Sequence, residues 1–110
     1  MKPIFFLKLV LSATLIQAQT FYLDENGVTI KCLDCQPGDL GIVDGVVYTA
    51  VDNEMLYDLA VDYEAHDFSV LCTTLATDLS ELFSSKSNFN DDISSWDVSN
   101  VEDMGQMFRS

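Results

Sequence analysis

Basic residues are scarce in this 110-residue chain. Lysine and arginine together number 5, against 18 aspartates and glutamates, and the formal net charge at pH 7 is −13. Proteins bind nucleic acids mainly through Lys and Arg side chains that displace counterions from phosphates. We therefore exclude nucleic acid as a partner. The acidic residues are scattered along the chain rather than gathered in a tail, which indicates a solvated surface.

Histidine is scarcer still, because His66 is the only one in the sequence. The chain has many serines and aspartates, but it has no nucleophile-elbow motif or comparable signature of a catalytic triad. His66 stands between Ala65 and Asp67, and we interpret it as a solvent-facing residue. We therefore expect a protein that is not an enzyme and that needs no cofactor.

The cysteines number only three: Cys32, Cys35 and Cys72. Zinc needs four ligands, and these residues together with His66 lack the spacing of a zinc finger, so we predict no metal site. In an exported chain an odd count predicts one disulfide and a leftover thiol, or an intermolecular bond. Our preferred pair is Cys32 with Cys72, and Cys35 is the alternative partner. A redox C-x-x-C motif is a further alternative, although Cys32 and Cys35 follow a predicted strand rather than opening a helix.

The chain also lacks an apolar run long enough for a comfortable membrane crossing, which takes about 20 residues. Lys2 precedes an apolar run over residues 9–16, and small and polar residues follow near Ala18. This arrangement is typical of a secretory signal peptide, so we predict a leader over residues 1–18 and a mature chain without a membrane span. A buried N-terminal helix or a membrane anchor is the alternative. Removal of the leader would change the formal charge from −13 to −15.

The segment after the leader is rich in strand-forming residues. The runs FYL, GVTIKC, LGIV and VVYTAV are separated by turn residues over positions 20–51. Asp44-Gly45 predicts a two-residue hairpin, because a type I′ turn needs positive φ at both positions. Asn26-Gly27 predicts a second hairpin with a longer loop. We interpret residues 19–66 as a small β-rich N-terminal head.

A helix and a further strand are predicted next. Residues 53–63 place Met55 and Leu59 at helical spacing, with Asn53 available as the N-cap. Phe68, Val70 and Cys72 alternate with other residues and indicate a strand.

A short amphipathic pattern then occurs twice, 25 residues apart, as DLSELFSS at residues 78–85 and DMGQMFRS at residues 103–110. Each copy has apolar residues at i, i+3 and i+4, which predicts a short helix. Asp78 and Asp103 lie three residues before Glu81 and Gln106, as in a capping box. A recurrence of this length indicates a solenoid whose units bury their apolar faces against each other. Between the copies, ISSWDVSNV has the spacing of a leucine-rich-repeat strand.

Residues 71–110 resemble the repeat of BspA-like leucine-rich-repeat surface proteins of bacteria. The matching positions include Phe89-Asn90, the run Trp96 to Val101, and Met107-Phe108. The resemblance implies an exported, non-catalytic protein that attaches to a protein or cell-surface ligand. It also implies that residues 67–110 begin a 25-residue repeat array of which the chain holds only the start. The alternative function is a small exported thiol-redox or metal-binding protein that uses Cys32 and Cys35.

These expectations define an α+β fold in which the β-rich head is followed by the first turns of an α/β solenoid resembling leucine-rich repeats. The residues predicted to form the repeat core are Leu79, Leu82, Phe83, Phe89, Ile93, Trp96, Val98, Val101, Met104, Met107 and Phe108. We favour core packing over sugar stacking for the aromatic members. Burial is expected to fall from Trp96 to Phe108. Ordinary turn chemistry, rather than calcium binding, explains the oxygen-rich turns at residues 24–27 and 88–92.

Overall fold

The computed structural model of the protein describes residues 20–109, so the predicted leader and its cleavage site lie outside the described residues. The described part has an α+β fold, as predicted, with small sheets and one α-helix. Its elements in chain order are β1 (Phe21–Leu23), β2 (Ile30–Cys32), β3 (Leu40–Val43), β4 (Val46–Ala50), α1 (Asn53–Val61), two short 3-10 turns (Tyr63–Ala65 and Phe68–Val70) and β5 (Leu71–Cys72).

Both predicted hairpins are present. β3 and β4 are antiparallel and are joined by Asp44 and Gly45, whose φ angles are 50° and 82°, as a two-residue primed turn requires. β1 and β2 are also antiparallel. In their connecting loop the side-chain oxygen of Asn26 accepts the backbone N–H groups of Val28 and Thr29. In both hairpins, therefore, the turn residues determine the conformation of the loop.

β5 connects the head to the rest of the molecule. It pairs in parallel with β4, so that Ala50 lies opposite Cys72 in a three-stranded sheet of order β3-β4-β5. Of the strand predicted through Phe68, Val70 and Cys72, only the C-terminal end forms, as β5. Its first part is a 3-10 turn, which the carboxylate of Asp67 caps by accepting the N–H of Ser69.

Helix α1 lies where the apolar spacing predicted it, with Leu56 and Ala60 buried. Its N-cap, however, is Asp52 rather than the predicted Asn53, because the Asp52 carboxylate accepts the N–H of Met55 at 2.9 Å. The Asn53 side chain instead reaches across the fold to the backbone of residues 77 and 78.

The predicted helices at residues 78–85 and 103–110 are wrong, because the described part of each segment consists of turns. Glu81 and Ser85 adopt positive φ angles of 58° and 61°, which a right-handed helix does not allow. The predicted leucine-rich-repeat strand in ISSWDVSNV is also absent, and turns interrupt this segment. Every second N–H group of residues 78–85 donates to residues 103–109, whereas the N–H groups of Trp96 and Val101 bond within their own turns.

Two groups of buried residues form the interior of the described region. The head group surrounds the cysteines and comprises Phe21, Ile30, Cys32, Cys35, Ala50 and Cys72. The larger group joins α1 to the C-terminal half and comprises Val51, Leu56, Ala60, Phe68, Leu71, Ala76, Leu79, Leu82, Phe83, Trp96 and Met107. The helix therefore covers one side of the C-terminal half.

Candidate functional site

The two copies of the amphipathic pattern lie side by side in parallel. Residues 78 and 103 form a parallel β-bridge at the predicted offset. From there every second N–H of the first copy, residues 78–85, donates to a carbonyl of the second copy, residues 103–109. The bonds run from Leu79 to Asp103 (2.8 Å), Glu81 to Gly105 (2.9 Å), Phe83 to Met107 (2.8 Å) and Ser85 to Arg109 (2.6 Å).

The copies also share their backbone conformation. Gln106 has a φ angle of 57°, close to the 58° of Glu81 at the equivalent position. A turn bond from the N–H of Leu82 to the carbonyl of Leu79 recurs between Met107 and Met104, at 3.2 Å in both copies. Residues 25 positions apart in the two copies thus have the same backbone conformation.

Asp-x-Ser turns also recur along the C-terminal half. In each turn the carboxylate accepts the N–H of the serine two residues later, as at Asp67, Asp78, Asp92 and Asp97. Hydrogen bonds from Ser69, Ser80 and Ser94 lower the pKa of Asp67, Asp78 and Asp92 respectively. The sequence predicted a helix cap at Asp78 and turn chemistry around Asp92, but it did not predict that the same Asp-x-Ser turn recurs.

The aromatic residues form a cluster across the copies. The ring of Phe83 contacts those of Phe89 and Phe108, with centroid distances of 3.7 Å and 5.7 Å, and the Phe89 and Phe108 centroids are themselves 6.5 Å apart. Phe68 meets Phe83 edge-on at 5.2 Å. Only 2% of Phe83 is exposed, whereas 59% of Phe108 is exposed. Phe108 therefore lies at the exposed edge of the cluster, on the outer side of the second copy.

The predicted core residues divide into two sets. Leu79, Leu82, Phe83, Trp96 and Met107 are buried, and Phe89, Ile93 and Val101 are half-buried against them. The assignment of Val98, Met104 and Phe108 to the core is wrong, because these three side chains are exposed in the described region.

Trp96 departs from the expected loss of burial toward the C-terminus. Only 6% of it is exposed, and its indole N–H donates to the carbonyl of Phe68 at 2.8 Å. The residue 25 positions earlier, Leu71 in β5, is buried as well. Trp96 packs inward, onto the preceding part of the chain.

Thr73, Thr74 and Asp97 join the head to the C-terminal half. The Thr74 hydroxyl donates to the Asp97 carboxylate at 2.9 Å and accepts the N–H of Cys32 at 3.1 Å. The Thr73 hydroxyl bonds both the N–H and the carbonyl of Asp97. Burial acts to raise the pKa of Asp97, but hydrogen bonds from Ser99 and Thr74 and the nearby Lys31 outweigh it, so the pKa is lowered.

The disulfide links Cys32 to Cys35, so the preferred pairing of Cys32 with Cys72 is wrong. Asp34, with a φ of 56°, turns the chain so that the Cα atoms of the two cysteines lie 5.8 Å apart. Cys72 is a buried free thiol near the carbonyl of Ile30. The local turn thus brings Cys35 to Cys32, and Cys72 takes no part in the disulfide.

The outer side of the second copy carries a row of backbone donors. The N–H groups of Met104, Gln106 and Phe108 have no acceptor among residues 20–109. Their equivalents in the first copy, at Leu79, Glu81 and Phe83, all donate to the second copy. Because the local conformation repeats, the three outer groups point away from the first copy, next to the exposed side chains of Met104 and Phe108.

A cavity of about 290 Å³ opens beside this row. The rings of Phe83, Phe89 and Phe108 line it, together with the side chains of Lys86 and Arg109. Arg109 donates to the amide oxygen of Gln106 at 2.8 Å. The ion pair found in the described region joins Lys31 and Asp24, so neither cation of the cavity has a carboxylate partner there.

In the predicted oxygen-rich turn at residues 88–92, carboxylate oxygens accept hydrogen bonds from backbone N–H groups. Asp91 and Asp92 accept the N–H groups of Phe68 and Ser94 respectively. Across residues 20–109 there is no group of three or more His, Cys, Asp or Glu side chains that could hold a metal ion. Over the same residues no helix is long and apolar enough to cross a membrane.

Comparison with known proteins identifies one family. A family described as "Mycoplasma protein of unknown function, DUF285" matches residues 52–110. The matched region includes α1, both copies and the aromatic cluster. Neither the curated proteins nor the solved structures gave a match to the chain.

Proposed function

Because the chain belongs to the DUF285 family, whose match spans more than half of its length, we propose that it is a non-catalytic repeat protein of the bacterial surface. Its 25-residue units stack into a solenoid that resembles those of BspA-like proteins, and the stack attaches to a protein or cell-surface ligand. The β-rich head and α1 cover the first side of the stack.

The single observation that carries this proposal is the parallel ladder between the two copies. Residues 79, 81, 83 and 85 donate to residues 103, 105, 107 and 109, an offset of 24 at every step. Contacts between neighbouring units at a constant offset are the defining property of a solenoid, in which each unit buries its apolar face on the next. The outer donors of Met104, Gln106 and Phe108 supply the corresponding half of a further ladder.

The proposal that the units stack is tested by changing the number of units. Further copies of residues 78–102 inserted after position 102 should each raise the free energy of unfolding, because every inserted unit adds an interface of the same kind. Denaturant unfolding of proteins with one, two and three added units measures the increment. Units in which the Phe83 equivalent is Ser are the matched control, and they should add little. An unfolding free energy that does not change with unit number would contradict the solenoid.

The attachment part is tested with the same series. Beads coated with proteins carrying added units should be retained on cultured cells or on immobilised matrix protein, and retention should rise with unit number. Beads coated with albumin supply the background. Retention at background level for every member would refute attachment.

Surface localisation depends on the leader. Residues 1–19 fused to a reporter enzyme that lacks its own signal should direct export. A reversed charge at Lys2 (Lys2→Glu) is the control and should reduce export, because the positive n-region is part of the signal. Reporter activity confined to the cytoplasm would refute export.

A second function rests on the Cys32–Cys35 disulfide, which lies in the wall of a cavity of about 400 Å³. An exported thiol-redox protein would use such a bond for exchange. The pair begins at the last residue of β2 and does not open a helix, so it lacks the helix N-terminus that lowers a thiol pKa in redox motifs. Insulin reduction that disappears in Cys35→Ser would support this second function.

A further inference from the structure

The three-stranded sheet of the head is covered by the rest of the described chain on one face but only partly on the other. The face that carries Tyr48 and Ala50 packs against β1 and β2. The opposite face carries Leu40, Ile42 and Val47, which are 54%, 55% and 50% exposed. Leu40 and Ile42 are two residues apart on β3, and Ile42 is paired with Val47 on β4, so the three side chains point the same way. We call this apolar surface the open face.

The open face leads into a pocket of about 280 Å³ between the sheet and α1. Thr49 lies two residues after Val47 on β4, and its side chain lines the pocket. Met55 and Leu59, one turn apart on α1, line the pocket from the helix, and Val70 lines it as well. Pockets for free small molecules are typically larger, about 300–1,000 Å³. This one therefore fits an apolar side chain of a larger partner.

The borders of the open face are acidic. Between Lys31 and Lys86 the sequence has no lysine or arginine, and most of the chain's 18 aspartates and glutamates lie in that stretch. Asp58 is three residues after Met55 and so lies beside it on the surface of α1. Asp44 lies in the turn between β3 and β4, and both carboxylates are on exposed residues. A partner on the open face therefore meets apolar side chains at its centre and negative charge at its edges.

The dimensions of the open face fit an α-helix. A helix is about 10–12 Å across with its side chains, and neighbouring strands are about 4.8 Å apart, so one helix covers about two strands. Val51 and Leu71 already belong to the buried group of α1, and a second helix beside α1 would cover β3 and β4. A second copy of the chain offers no suitable helix within residues 20–109, because α1 carries Glu54 and Asp58 but no basic residue.

We propose that the open face and its pocket bind a basic amphipathic helix of a partner protein. The apolar stripe of that helix lies on Leu40, Ile42 and Val47 and places one side chain in the pocket, as in complexes in which a helix fills an apolar groove. Its lysines and arginines face the carboxylates of Asp44 and Asp58. The open face belongs to the head and α1 rather than to the outer repeat unit, so this inference goes beyond the proposed attachment function.

The test measures binding of labelled peptides to the full chain by fluorescence polarisation. The probe is a peptide of Leu, Lys and Ala with about five helical turns, with Leu at i, i+3, i+4 and i+7 and Lys on the opposite side. The same peptide with Glu in place of Lys is the charge control. A peptide of the same composition in which Leu and Lys alternate is the spacing control, because that pattern suits a strand. The helical Lys peptide should bind more tightly than either control.

Substitutions on the protein locate the binding surface. Val47→Ser should weaken binding of the helical Lys peptide roughly tenfold, because half of this side chain is open to burial by the partner. Val28→Ser is the matched control, since Val28 is also 50% exposed but lies in the loop between β1 and β2. Asp58→Asn should weaken binding roughly threefold, as for an exposed ion pair, whereas Asp34→Asn, between the two disulfide cysteines, should have no effect.

Methyl NMR signals of the complex provide the position of the helix. The signals of Ile42 and Met55 should shift on binding, and those of Val28 should not. Equal binding of the Lys peptide and either control peptide, or equal losses in Val47→Ser and Val28→Ser, would overturn the proposal. So would self-association of the chain in analytical ultracentrifugation that Val47→Ser abolishes, because a second copy would then occupy the open face.

Discussion

The rings of Phe83 and Phe108 stack with centroids 5.7 Å apart and planes inclined by 18°. The two residues occupy equivalent positions 25 residues apart, and their backbones are joined by the ladder between the copies. Phe83 is buried and contacts the rings of Phe68, Phe89 and Trp96 as well, whereas Phe108 is largely exposed. Equivalent phenylalanines of the two copies thus differ in how much they contribute to stability.

Replacement of these two phenylalanines should show that difference. Phe83→Ala is expected to lower the free energy of unfolding by about 3–5 kcal/mol, because it removes a fully buried ring from the core. Phe108→Ala should lower it by only about 1 kcal/mol, since more than half of that ring already contacts solvent. Denaturant unfolding of both variants measures the two values. Equal losses would show that the copies are not packed as described.

The positive φ angles of Glu81 and Gln106 predict an unusual response to glycine. Glu81→Gly and Gln106→Gly should leave the free energy of unfolding unchanged or raise it by up to about 1 kcal/mol, because glycine adopts positive φ without strain. Glu54→Gly in α1 is the control and should lower stability by roughly 0.5 kcal/mol. Thermal unfolding of the three variants provides the comparison. If Glu81→Gly were as destabilising as Glu54→Gly, a helical conformation for residues 78–85 would be favoured instead.

Gly41 in β3 approaches the ring of Phe21 too closely to accept a side chain, because a Cβ at this position would overlap the ring. Gly41→Ala should therefore destabilise the protein by about 1–3 kcal/mol, the usual effect of overpacking. The double variant Gly41→Ala with Phe21→Leu should recover part of this loss relative to the sum of the single variants. Additive effects in that double-mutant cycle would mean that the two residues do not meet.

The lowered pKa of Asp97 predicts acid sensitivity. A carboxyl group whose pKa is lower in the folded state stabilises the fold above its unfolded value, about 3.9 for Asp, and this contribution is lost as pH falls through the folded value. Between about pH 5 and about pH 2 the free energy of unfolding should thus fall more steeply in the wild-type protein than in Asp97→Asn. Asp58→Asn, at an exposed position of α1, should follow the wild-type slope. Parallel curves for wild type and Asp97→Asn would exclude this role.

Cys72 should be unreactive in the native protein. It is fully buried, and burial raises the pKa of its thiol, so little thiolate is available for reaction. A chromogenic disulfide reagent should therefore label one thiol only after unfolding, and peptide mapping without reduction should recover Cys32 joined to Cys35. Rapid labelling of the folded protein, or recovery of Cys32 joined to Cys72, would contradict the arrangement in the head.

Several features could be predicted because they depend on neighbouring residues alone. Asp44 and Gly45 tolerate positive φ, so they produce a hairpin whatever surrounds them. The apolar spacing of α1 and the 25-residue offset of the copies are likewise properties of the chain itself. The offset predicted that residues 78 and 103 belong together, and they form the bridge.

The candidate site was predicted less completely. The apolar triplet correctly indicated the buried face of the first copy, but in the second copy only Met107 is buried. The same triplet also fits both a helix and a turn that uses positive φ. Lys86 and Arg109 carry no local signal that would bring them to one cavity. The donor row at Met104, Gln106 and Phe108 is invisible in the sequence, because every residue except proline has an N–H and only packing decides which ones are paired.

The sequence by itself determined the α+β character, the hairpin at Asp44-Gly45, the helix α1 and the 25-residue period, since each follows from the torsional preferences and spacing of adjacent residues. The tertiary structure decided that residues 78–85 form turns, because every second N–H group of this segment bonds to the second copy rather than to a carbonyl four residues earlier. It also decided that Cys32 bonds to Cys35 and that Phe108 is exposed while Phe83 is buried. These outcomes depend on competition among distant groups for the same partners and the same space, and that competition is settled only when the chain has folded.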